Sequence, residues 1–167
     1  MMMRLLAGLF ALVCLGTPAM AQSHGKLMLQ LEVKELRDIV EELDFAITDE
    51  GIDADGDYYF EVVSDTGLPF FLYGARCDED DPAKDCMDLN AVGTFTPTPD
   101  ADVDEVMKSI SYAFMKVYRS GDDVKISRYL IFDGGITREN VKENIRVFAE
   151  IGDTIWSDLT GAGVLAD

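Results

Sequence analysis

Positive charge, histidine and catalytic signatures are all scarce in this chain. Its 167 residues carry 14 Lys and Arg against 32 Asp and Glu, a formal net charge of −18. Nucleic-acid phosphates and anionic lipid headgroups select for Lys and Arg, so DNA, RNA and the membrane surface are excluded as partners. The single histidine, His24, sits in a polar lead at residues 22–26. Ser-His-Asp and Cys-His arrangements are therefore left without a base. The chain has no G-x-x-x-x-G-K-S/T loop, no G-x-G-x-x-G after a strand and no H-E-x-x-H, so no cofactor is expected. Carboxylates are too abundant for any two to stand out as an acid/base pair. A small hydrolase working with carboxylates alone is the enzymatic alternative to a binding module.

What is present first is an address. Residues 1–21 read MMMRLLAGLFALVCLGTPAMA, with one cation at Arg4, an apolar run over 5–15, then Gly16, Pro18 and the small-x-small site Ala19-Met20-Ala21. That pattern predicts a cleavable export signal over 1–21 and a single domain over 22–167, periplasmic or secreted. The apolar run is too short to anchor the chain, because crossing the hydrocarbon takes about twenty residues. Lipidation at Cys14 is the competing reading, but Val13 precedes that cysteine, in mid-run and upstream of the better cleavage site. Removing the signal leaves 13 basic against 32 acidic residues, and of three cysteines only Cys77 and Cys86. An even pair in an exported chain predicts a disulfide across about ten residues, worth roughly 2 to 3 kcal/mol. Eight intervening residues do not suit a redox C-x-x-C, and two cysteines with one histidine fall short of a zinc site.

Periodicity supplies the elements. Over 31–43, Val33, Leu36, Ile39, Val40 and Leu43 recur at helical spacing between charged residues. Segments 57–64, 68–76 and 87–96 are rich in Tyr, Phe, Val and Thr and read as strands. Ser64-Asp65-Thr66-Gly67 suits a tight turn, and an acidic loop at 78–82 joins the next strand, so three neighbouring antiparallel strands are expected. A second helix is predicted over 102–119, with Val103, Val106, Met107, Ile110, Phe114 and Val117 on one stripe. A fourth strand follows over 123–133, and Thr137 caps a last helix that Gly152 kinks or divides. The order α-β-β-β-α-β-α indicates an α+β domain, an antiparallel sheet with helices mainly on one face.

Asp53-Ala54-Asp55-Gly56-Asp57 resembles the start of a calcium loop, but the sixth and twelfth places hold Tyr58 and Ser64 instead of Gly and Glu. Asp53, Asp55 and Asp57 are thus weak candidates for a divalent cation, and an Asp/Gly turn is the preferred reading. Aromatics crowd residues 58–73. Most belong to the core, yet one face of an antiparallel sheet can stay open for a protein or peptide partner. Tyr112, Met115 and Tyr118 extend the core or mark a dimer or peptide surface.

Taken together, the acidic first helix, Asp55-Gly56-Asp57 before a strand, a hairpin into F-F-L-Y-G at 70–74, Cys77 and Cys86 flanking the next strand and F-D-G-G-I-T-R-E-N at 132–140 resemble the YbjN family of bacterial proteins. Members are described as candidate sensory transduction regulators. The resemblance implies a fold like that of type III secretion chaperones, small acidic proteins that commonly pair and bind extended client segments. It implies a non-enzymatic binding or regulatory module with no catalytic residues to carry over. Many members have an asparagine and a W-N pair in the second helix, where this chain has Met107, Ser109, Ser111 and Tyr112.

Overall fold

A computed structural model describes residues 25, 27–78, 80–81 and 85–165. The expected export segment, Cys14 and His24 lie outside these residues, as do Glu79 and residues 82–84 of the acidic loop. The elements run β1 (Leu27–Met28), α1 (Val33–Glu42), β2 (Ala46–Ile52), β3 (Tyr58–Val63), β4 (Pro69–Ala75), β5 (Asp88–Phe95), α2 (Val103–Ser109), β6 (Lys116–Ser120), β7 (Asp123–Ile131), β8 (Ile136–Thr137) and α3 (Arg138–Gly161). Six strands make one antiparallel sheet in the order β2-β3-β4-β5-β7-β6, and β1 pairs with β8 apart from it. The fold is α+β.

Alternation within the strands decides which side is covered. Phe60, Leu72, Leu89 and Ile126 point to one side and are fully buried. They join one core with Leu36, Ile39 and Val40 of α1 and with Val141, Ile145 and Phe148 of α3. Each such side chain removed from water contributes about 1.5 to 3 kcal/mol, which is what seats two amphipathic helices on a sheet. The expected β3–β4 hairpin is present, with Val63 opposite Pro69. Ser64 closes it by accepting from the Leu68 N–H through its Oγ at 3.0 Å.

Three expectations need correction. The second helix ends at Ser109, not 119, and residues 116–120 form β6 against β7. The run from Ile110 onwards is dominated by Ser, aromatic and β-branched residues, poor helix formers that fit a pleated hairpin around Gly121. The stripe that extended the helix to Phe114 and Val117 was coincidental: Phe114 is 85% exposed and Val117 lies in a strand. Strand β2, with the sequence AITDEGI, was not anticipated. Gly152 divides nothing, since α3 continues for 24 residues. Its role is close approach: a Cβ there would stand 2.5 Å from Leu68 Cδ2, so α3 lies directly on the hairpin.

Helices α1 and α3 are also tied by charge. Arg138 donates to both Glu42 carboxylate oxygens at 2.7 and 2.8 Å and to Glu35, and Lys142 donates to Glu42 at 3.0 Å. The Arg138 and then the Lys142 hydrogen bonds hold the Glu42 carboxyl at about 2, against an ordinary 4.5. Because the folded value lies below the unfolded one, this contribution to stability is complete above the unfolded pKa and is lost as pH falls through about 2. Carboxyl titration followed by NMR should place Glu42 near 2, and Arg138→Met should move it upward. A Glu42 titrating in its ordinary range in the unsubstituted protein would contradict the network.

Candidate functional site

All three helices of the described residues pack on the same side of the sheet, and none of the described residues places a helix on the other side. Register defines its rows. One runs across every strand as Asp49, Glu61, Phe71, Val92, Ser127 and Lys116. A second contains Gly51, Tyr59, Tyr73, Asn90 and Tyr129. The aromatics form a continuous patch: Phe71 stacks on Tyr73 with centroids 5.7 Å apart, and Tyr59 lies 6.2 and 6.3 Å from the two. All three are only half-buried, while Tyr129 and Ile131 beside them are more than half exposed. Contiguous apolar surface rimmed by polar groups is the physical signature of a docking face.

The polar groups on this face are arranged around the patch. Asp88, fully buried, accepts from Arg76 Nη2 at 2.7 Å and from Tyr129 Oη at 2.5 Å, with a further contact to Arg76 Nε. The Arg76 bond in particular holds its carboxyl below the usual range. Tyr59 Oη donates to Asp49 at 3.0 Å, a bond that raises the phenol's pKa, and burial raises that of Tyr73. Lys116 lies over the Tyr118 ring, 4.9 Å from its centroid. At the centre, the Asn90 Oδ1 atom is buried with no hydrogen-bond partner among the described residues.

The expected disulfide is present between Cys77 and Cys86. It lies on the helix side, flat against Gly74, where a Cβ would come within 2.7 Å of Cys86 Sγ and 3.1 Å of Cys77 Sγ. Cys86 also bridges to Leu31, tying the start of the domain to the loop. The weak cation candidates fall in the β2–β3 turn. Asp53 accepts from the Asp55 and Asp57 N–H groups at 2.9 and 3.0 Å, which is the geometry of an Asx turn. Burial, followed by the charges of Asp53 and Asp55, raises the pKa of Asp57. Among the described residues no group of three His, Cys, Asp or Glu side chains is placed to hold a metal ion. Of the other residues singled out, Tyr112 and Met115 pack against the core in the α2–β6 connection and Tyr118 reaches the open face from β6. Strand alternation in the sequence flags both faces of β3 to β5 as apolar, so it could not reveal which of them stays open.

A solved structure has a similar architecture. It is the crystal structure of YbjN from E. coli, described as a candidate transcription regulator, with a TM-score of 0.57 and 10% identity, covering 85% of this chain and 100% of that one. The chain has a YbjN-like fold. At that identity the likeness to YbjN is one of architecture alone. No protein-family model matches the chain, and no curated protein sequence does. Among the described residues no helix is long and apolar enough to cross a membrane.

Proposed function

We propose that the chain is an exported, non-enzymatic binding and regulatory module of the bacterial envelope, and that its open sheet face docks a protein partner. The observation that carries this reading is the Tyr59, Phe71 and Tyr73 patch on a sheet face that no helix of the described residues covers. Export draws its support from the pattern of residues 1–21 and from the disulfide, a bond kept in oxidising compartments. A non-enzymatic role agrees with the arrangement of carboxylates: the ones held at low pKa, Glu42, Asp88 and Glu143, sit in separate ion pairs with arginines. YbjN is described as a candidate transcription regulator. Regulation is carried over to this chain, whereas DNA binding is opposed by its charge of −18.

The test is a photo-reactive residue placed at Phe71, with a control at Ser157 on the exposed side of α3, both irradiated in intact cells. A crosslinked species from position 71 and none from position 157 is the expected result. Equal labelling from the two positions, or none from position 71, would end this reading.

A further inference from the structure

The open face carries a charge pattern unlike that of the molecule as a whole. With Asp88 neutralised by Arg76, its strands hold three carboxylates, Asp49, Glu61 and Asp123, against Lys116 and Lys125, one negative charge in excess. The full chain carries −18, so the acidity that would repel another copy lies almost entirely elsewhere. The signs are also unevenly placed. Asp49 and Glu61 lie on β2 and β3 at one edge, and Lys116 and Lys125 on β6 and β7 at the other, where Asp123 sits at the start of β7 and accepts from Thr96; Phe71 and Val92 lie between the edges. Neither Glu61 nor Lys125 has an ion-pair partner among the described residues.

A surface acidic at one edge, apolar in the middle and basic at the other is complementary to itself when turned by half a revolution. We propose that this face pairs with the same face of a second copy, about a twofold axis between β4 and β5. The inference rests on reading the face as a docking surface, and it names the occupant. Two sheets stacked face to face lie about 10 Å apart. The rotation sets β2 over β6 and β3 over β7, which brings Asp49 over Lys116 and Glu61 within side-chain reach of Lys125, each pair formed twice. It also sets β4 over β5, so that Phe71 of one copy faces Val92 of the other. Strands spaced about 4.8 Å apart and rising about 3.3 Å per residue make the face roughly 25 by 20 Å. That is smaller than the face of a permanent dimer and fits a reversible one.

Sedimentation of the protein, purified as the host exports it, tests this across a wide concentration range. A monomer–dimer equilibrium is expected. Glu61→Lys or Lys125→Glu alone should weaken it about tenfold or more, with the melting temperature unchanged, because each reversal turns two attractive contacts into repulsive ones. Combining the two reversals should restore dimerisation to within about threefold, and high salt should shrink both effects. A dimer indifferent to both reversals and to Phe71→Glu uses another surface and overturns the proposal. A protein monomeric at every concentration overturns it too. In that case a crosslink from position 71 to a different protein would preserve the docking reading and change the occupant, while no crosslink from that position would remove both.

Discussion

Truncating Phe148 to alanine is expected to lower the unfolding free energy by about 3 to 5 kcal/mol, the usual range for a buried phenylalanine. A domain of this kind has roughly 5 to 15 kcal/mol in all, so the variant should be marginal at best. The size of the effect follows from position. Phe148 is fully buried on α3, its ring centroid lies 5.4 Å from that of Phe70, and its Cζ stands 3.7 Å from where a Cβ on Gly93 would be. Together with Ile126, whose Cγ1 would stand 3.1 Å from that Cβ, it fills the space that glycine leaves on β5. Phe148→Leu, which keeps most of the volume, should cost well under half as much. Urea unfolding of the three proteins provides the measurement, and a loss below about 1 kcal/mol for the alanine variant would mean that α3 is not seated on the sheet in this way.

The second large effect concerns Gly74 and the disulfide lying on it. Replacing Cys77 and Cys86 together by alanine should cost about 2 to 3 kcal/mol, the chain-entropy value for a loop of about ten residues. Gly74→Ala in the bridged protein should cost a further 1 to 3 kcal/mol or so, because the new methyl would overlap both sulfurs. The two changes share one contact and should not add. With the cysteines gone the Cβ has room, and alanine is the better strand residue, so Gly74→Ala should then be close to neutral or slightly stabilising. Equal costs in the two backgrounds would show that Gly74 is required for something other than the sulfurs.

Much of this architecture is legible in the residues, and the parts that are not have physical reasons. Alternating Tyr, Phe and Val over Tyr58–Val63 and Pro69–Ala75, joined by a Ser-Asp-Thr-Gly turn, define a hairpin without help from the rest of the chain. Strand β2 carries no such signal. Its Glu50 is used in bonds to Arg37 and Tyr58, and its Asp49 in one to Tyr59, so it is held by polar pairs across the sheet and to α1 instead of by apolar alternation. The sequence pattern overextends the second helix because Val106, Ile110 and Phe114 recur at four-residue spacing, and periodicity does not register that the backbone turns at Phe114, where φ is +65°. The open face was anticipated as an option but could not be located. Tyr59 and Phe60 are neighbouring aromatics that both suit a strand, and it is the docking of α1 and α3 that makes Phe60 core and leaves Tyr59 at the surface. The polar outline of the face was out of reach altogether, because the row from Asp49 to Lys116 gathers residues from six strands.

The bridge between Leu31 and Cys86 has a consequence in time. The first described segment of the chain has no neighbours of its own to pair with: Leu31 exchanges hydrogen bonds with Cys86 at 2.8 and 3.1 Å, and β1 lies against β8, more than a hundred residues later. Contacts so far apart in sequence close slowly and late. The strand Leu27–Met28 can settle only after Ile136 and Thr137 have been made, so the order of synthesis leaves its docking among the last steps of folding.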